Sequence, residues 1–112
     1  MLGVPLTAIA ESVAAFSASA MRGQVHRTAT GAVVINDAYN ANPSAVERAL
    51  ESAITVSGIR HVAILGDMLE LGPDAESFHR QIGAHAAALG LARVVGVGEH
   101  SRATVDLSLI HI

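Results

Sequence analysis

Apolar and polar positions follow two different rhythms along this chain. Short continuous apolar runs, Ala32-Val33-Val34-Ile35, His61-Val62-Ala63-Ile64-Leu65 and Arg93 to Val97, have the length and β-branched content of buried strands. Between them apolar residues recur every third or fourth position, the spacing of one helix face. Val46, Ala49, Leu50, Ala53 and Ile54 make such a face. They predict a helix that opens at Pro43-Ser44, with Ser44 and Glu47 as a capping box, and closes at Gly58. A second helix is expected from Pro73-Asp74 through Leu89, stopped by Gly90. Near the N-terminus, Thr7 is placed to cap a helix reaching about Phe16, with Leu6, Ile9, Ala10 and Val13 as its stripe. Val25 to Thr28 and Ala32 to Asn36, joined at Ala29-Thr30-Gly31, predict a hairpin whose first strand runs antiparallel on a sheet edge.

Strand, helix, strand, helix, strand predicts an α/β fold: a Rossmann-like, mostly parallel sheet with an antiparallel edge strand. Ser17-Ala18-Ser19-Ala20 interrupts the N-terminal periodicity and reads as a linker, with a domain boundary near Met21. Few residues follow the last strand, so the sheet is expected to be truncated at its C-terminus. Residues 107–112 fit no helix face and resemble translated sequencing-adapter readthrough, and they are set apart as a non-native tail.

Composition narrows the picture. Hydrophobic residues make up 51% of the 112 but aromatics only 3%, so the core is built from Ala, Val, Leu and Ile. That favours helices on a parallel sheet over an aromatic-rich β-sandwich. A formal charge of −3 without Lys/Arg clusters speaks against nucleic acid or an anionic membrane as partner. The absence of cysteine excludes disulfides and thiolate metal sites. No apolar run approaches the roughly 20 residues of a membrane span, and no signal core is present. A cytoplasmic protein is the expectation.

The densest chemistry lies in Asp37-Ala38-Tyr39-Asn40-Ala41-Asn42-Pro43, a strand-to-helix turn of the kind that carries ligand contacts in α/β proteins. Asp37 is an acceptor-only group suited to the two hydroxyls of a ribose, or equally a turn-stabilising acid. Asn40 and Asn42 carry donors and acceptors suited to a base or peptide edge; for Asn42 a helix N-cap is the better reading. Tyr39 stands in the loop, to stack on a base or to pack over the sheet edge. Arg22 is a solvated charge, or at a domain junction a fork for phosphate oxygens. Gly66-Asp67 and Glu70 leave the second parallel strand, where contact with a nucleotide or acceptor substrate competes with loop capping, the reading favoured for Glu70. Gly96-x-Gly98 is only part of a dinucleotide fingerprint. The six histidines, among them His79 and His85, form no zinc pair and read as surface or helix-face residues. No phosphate-cradling loop, nucleophile or metal-ligand set is present in the sequence.

Asn36-Asp37-Ala38-Tyr39-Asn40-Ala41-Asn42-Pro43, followed after a helix and a strand by Leu65-Gly66-Asp67-Met68-Leu69-Glu70-Leu71-Gly72, resembles the C-terminal domain of the Mur ligases. The likeness runs from about Leu2 to Arg102. Leu2 to Phe16 is similar to the end of that family's central ATPase domain. The implied division is 1–21 for that end and its linker, and 22–106 for an incomplete C-terminal domain. The resemblance is to the branch whose partners are UDP-N-acetylmuramoyl-tripeptide and D-alanyl-D-alanine. It implies ATP-driven amide formation: a carboxylate becomes an acyl phosphate, the dipeptide amine attacks it, and ADP and phosphate leave. ATP and Mg2+ are the implied cofactors, with the metal ligands in the central domain and none here.

Carried over by position, Asp37 matches the acid on the ATP ribose and Arg22 the interdomain arginine on the phosphates. Asn40 and Asn42, with Tyr39 beside them, match the loop lining the ATP and dipeptide side. Asp67, Met68 and Glu70 fall on the substrate-side loop. One departure stands out: the family usually has Gly-Arg and then a bulky apolar residue, whereas this chain has Met21-Arg22-Gly23. Without the phosphate loop, the fragment is expected to be inactive alone. The alternative is a non-catalytic nucleotide-binding α/β module; a Rossmann oxidoreductase is disfavoured by the missing third glycine.

Overall fold

The computed structural model describes residues 3–17, 19–58 and 60–107. The chain forms two compact units, residues 1–36 and 37–112.

In the first unit, α1 (Leu6–Ala14) starts after Pro5, which holds the extended backbone of an N-cap, so Thr7 lies inside the helix and does not cap it. The stripe expected on α1 exists, but none of its residues is buried, and Leu6 is 83% exposed. The predicted hairpin is present as β1 (Gln24–Arg27) and β2 (Val33–Asn36), antiparallel, with Gln24 opposite Asn36 and Arg27 opposite Val33. It is, however, a two-stranded sheet of its own, and Val34 and Ile35 are exposed, not in a buried strand. Thr28 closes the turn: its amide donates to the Ala32 carbonyl at 2.9 Å, and its Oγ1 accepts from the Ala32 amide at 3.0 Å.

The second unit runs α2 (Pro43–Thr55), β3 (Val62–Gly66), a 3-10 turn at Gly72–Asp74, α3 (Ala75–Ala88), β4 (Arg93–Val97) and α4 (Ser101–Leu107). β3 and β4 pair in parallel, Val62 beside Arg93 through Gly66 beside Val97. Parallel neighbours need a crossover between them, and α3 supplies it. The core gathers Leu50 of α2, Ala63 of β3, Met68, Ile82 and Ala86 of α3, Leu91, and Val94 of β4. Val46, Ile54, Leu65, Leu71, Phe78 and Leu89 pack around it, so the 3- and 4-residue spacing does mark the inward faces. Full burial of a side chain such as Ile82 or Leu91 stabilises the fold by about 1.5–3 kcal/mol.

Two local features differ from the sequence reading. The α2 cap is Asn42, the role favoured for that residue from the sequence, and its Oδ1 accepts from the Ala45 amide and from the Ser44 hydroxyl, both at 3.0 Å. Ser44 and Glu47 therefore do not form a capping box. The cause is Pro43: a residue before proline is driven to extended backbone, and Asn42 at φ −137°, ψ 162° then has cap geometry. The second difference is α4, which no periodicity announced. Its buried positions are Ser101, Ala103 and Thr104, polar or small, so the helix has almost no apolar stripe. It docks through backbone proximity to α3, where Gly83 leaves no room for a Cβ against the Thr104 carbonyl. Leu107 ends this helix; residues 108–112 lie outside those described.

Candidate functional site

In the parallel pair both strands leave the sheet at the same end, so the β3 exit loop (66–72) and the β4 exit loop (98–100) are neighbours. They are tied together by Asp67. Its Oδ1 accepts the Ser101 amide at 2.7 Å, and the amides of His100 and Glu99 also point at the carboxylate. Burial alone would raise this carboxyl group. The three amides and the charge on His100 outweigh it, so the acid titrates below the ordinary carboxylate range. Ser101 completes the turn by donating its hydroxyl to the Gly98 carbonyl at 2.9 Å.

This arrangement explains Gly96-x-Gly98 without a dinucleotide. A Cβ on Gly98, at φ 121°, would collide with the Asp67 carboxylate, and one on Gly96 would press on Ser101 and Val105. The amides that could have met a ligand's phosphate are already taken by the chain's own acid.

Met68 follows directly. Its side chain is in the core, and its amide donates to Nε2 of His79 at 3.0 Å. The opposite ring nitrogen, Nδ1, lies 2.7 Å from the Ala75 carbonyl one turn back on α3. An acceptor at Nε2 and a carbonyl at Nδ1 fix the neutral tautomer with its proton on Nδ1. His79 is 1% exposed, and its ring lies 5.6 Å from that of His100. The reading of His79 as a surface or plain helix-face residue is thus corrected. The signal was available: His79 shares its spacing with Ile82, Gly83 and Ala86, the buried face of α3. His85 is half-buried, with Nε2 3.3 Å from Glu51 of α2.

Beyond Met68 the loop turns outward. Leu69 is 70% exposed. Glu70 is exposed and sits at φ 60°, the left-handed region that a residue with a Cβ seldom adopts. Leu71 returns to the core.

The other predicted loop, Asp37 to Asn42, is fastened at its far end by Ala41 against the core and by the Asn42 cap. Asp37 and Asn40 are exposed, as is Tyr39 at 58%. Asn42 has its side-chain oxygen committed to the helix end, which leaves its amide group for other partners. Arg22 is exposed in the first unit, its amide donating to the Ser19 carbonyl at 3.1 Å. The unusual Met21-Arg22-Gly23 has a definite geometry: Met21 is left-handed at φ 57° and Gly23 at φ 67°. Met21 thus holds a backbone conformation that ordinarily suits glycine. Among the described residues, no cluster of three or more His, Asp or Glu could hold a metal ion, and no helix is long and apolar enough to cross a membrane.

Comparison with known proteins agrees with this architecture. The family profile described as "Mur ligase, glutamate ligase domain" matches residues 21–111. UDP-N-acetylmuramoyl-tripeptide--D-alanyl-D-alanine ligase of Bacillus subtilis (strain 168) is 32% identical over 103 residues, 91% of this chain and 22% of that protein. The enzyme of the same name from Escherichia coli (strain K12) is 35% identical over 102 residues, again 91% and 22%. That of Mycobacterium tuberculosis (strain ATCC 25618 / H37Rv) is 40% identical over 82 residues, 69% and 16%. The chain thus spans about a fifth of the length of these curated relatives. The crystal structure of MurF ligase from Thermotoga maritima in complex with ADP superposes with a TM-score of 0.76 at 24% identity, covering 84% of this chain and 22% of that one. It shares the fold: a parallel β3–β4 pair, an antiparallel pair, and helices between them. With the profile spanning most of its length and relatives above 30% identity, the chain belongs to the Mur ligase family and carries its C-terminal, glutamate ligase domain.

Proposed function

We propose that this chain is the C-terminal domain of an ATP-dependent amide ligase that joins D-alanyl-D-alanine to UDP-N-acetylmuramoyl-tripeptide in peptidoglycan synthesis. The observation that carries the proposal is the 32–40% identity to enzymes of that name, over a stretch that includes both loops described above. The ADP in the structural neighbour supports a nucleotide as the ligand. The cytoplasm is the proposed site of action, where ATP and a UDP-linked precursor are both available.

Each residue then has a role its chemistry suits. Asp37, an exposed carboxylate on a strand-to-helix turn, accepts both ribose hydroxyls of ATP. Tyr39 offers its ring face, and Asn40 its amide, beside the nucleotide. Asn42 holds the helix end that shapes this loop. Arg22 pairs with the phosphates through its planar fork. Asp67 and Met68 hold the substrate-side loop from within, and Glu70 is the exposed acid on it, suited to the ammonium of the incoming dipeptide.

Among the described residues no group of three or more His, Asp or Glu could hold a metal ion, and no step is assigned to a metal in this domain. What these residues do is bind and orient; the phosphoryl transfer belongs to groups supplied elsewhere in a ligase of this kind, and the isolated chain should not ligate.

The test is kinetic, in the full-length ligase. Asp37→Ala removes two hydrogen bonds to ribose, each worth about 0.5–1.5 kcal/mol. It should raise the KM for ATP about tenfold while that for the dipeptide stays within twofold. An unchanged ATP dependence would overturn the ribose assignment, and absence of ligation with D-alanyl-D-alanine would overturn the function.

A further inference from the structure

Two consecutive residues of the β3 exit loop are held by opposite neighbours. The Asp67 side chain grips the β4–α4 amides, and the Met68 amide is taken by the side chain of His79 on α3. The next two residues, Leu69 and left-handed Glu70, face solvent before Leu71, partly buried, packs against the core. A loop gripped this way has little freedom, and the side chain that reaches it from α3 is that of His79, with both ring nitrogens engaged.

We propose that His79 is a positioning residue for the amine substrate: by accepting the Met68 amide it sets the course of the Gly66–Gly72 loop and hence where Leu69 and Glu70 stand. This rests on the reading of that loop as the acceptor side of a ligase. The physical argument is one of accounting for a buried donor. Met68 is buried at 3% exposure, so its N–H finds no water if Nε2 is removed. A buried donor without a partner is costly, and the cheapest relief is for the loop to move until that N–H is wetted. Glu70 would move with it, because the strain of its left-handed backbone persists only where the surroundings impose it.

Two substitutions separate the two hydrogen bonds of the ring. His79→Gln places an oxygen near the position of Nε2, within reach of the Met68 amide. His79→Asn places its amide near Nδ1, able to meet the Ala75 carbonyl but not Met68. In the full-length ligase, His79→Asn should raise the KM for D-alanyl-D-alanine about tenfold, with the KM for ATP within twofold of the parent. His79→Gln should stay within about threefold for both. Hydrogen exchange of the peptide containing Met68 should be about tenfold faster in His79→Asn and near parental in His79→Gln. If His79→Asn does not fold, His79→Leu replaces it, since it also lacks an acceptor at the ε position.

Equal effects of Gln and of the acceptor-less variant would show that His79 acts only by packing, and would overturn the proposal. Faster exchange at Met68 with an unchanged dipeptide KM would overturn it as well. Failure of the ligase reading itself appears separately, as an Asp37→Ala variant with unaltered ATP dependence while the exchange difference between Gln and Asn remains.

Discussion

Removing the Asp67 carboxylate tests whether this acid belongs to the fold or to the substrate. In Asp67→Ala the amides of Glu99, His100 and Ser101 lose their common acceptor and α4 loses its N-terminal anchor. Loss of a capping acid costs about 0.5–2 kcal/mol, and hydrogen bonds to a charged group about 1.5–3 kcal/mol. Asp67 is half-buried, so water replaces part of what is lost, and about 2 kcal/mol is the working figure. The acid lies in the unit of residues 37–112, and for domains of that size each kcal/mol moves the melting temperature by about 4–8 °C. The expected drop at pH 7 is therefore about 10 °C, read by thermal denaturation followed by circular dichroism.

The pH dependence has a definite sign. The folded-state pKa of Asp67 is lowered, so its contribution is complete above the unfolded value of about 3.9 and is lost as the pH falls through the folded one. Parent and Asp67→Ala should thus differ fully at pH 5 and above and converge in stronger acid. Asp67→Asn keeps an acceptor without the charge and should fall between them. A melting temperature within 2 °C of the parent at pH 7, or a difference that persists undiminished at low pH, would refute the capping role. The carboxylate would then be available to a ligand.

Two other substitutions test the packing that holds the site. Gly83→Ala gains about 1 kcal/mol of helix propensity in α3, but its new methyl meets the Thr104 backbone, which cannot rotate away. Overpacking of this kind costs about 1–3 kcal/mol or more, so α4 should be displaced and the melting temperature lowered by several degrees; a rise would disprove the close α3–α4 approach. Asn42→Ala should cost about 1 kcal/mol, and Asn42→Asp should retain parental stability because a carboxylate caps as well. Equal melting of Asn42→Ala and the parent would show that the cap is not needed.

The elements with a strong repeating pattern were legible from residues alone. The inward face of α2, the β4 strand and the Gly90 stop of α3 follow from apolar spacing and turn chemistry, which are local properties. The two motif loops were legible for the same reason, since dense polar residues between a strand and a helix stand out from both rhythms. Other features depend on which segments meet in space. Asp67 looked like a site acid, and only the parallel pairing of β3 with β4 brings it onto the amides of a loop more than thirty residues later. His79 looked like one of six ordinary histidines until α3 packed beneath the β3 exit loop and buried it. Helix α4 has too few apolar residues to announce itself and exists through contact with Gly83 and Asp67. Fold class and family could be read from the residues alone, because they reside in periodicity and in motifs contiguous along the chain. Which polar groups are spent on holding the loops follows only from how distant segments pack, because a hydrogen bond between distant residues leaves no trace in either residue's neighbours along the chain.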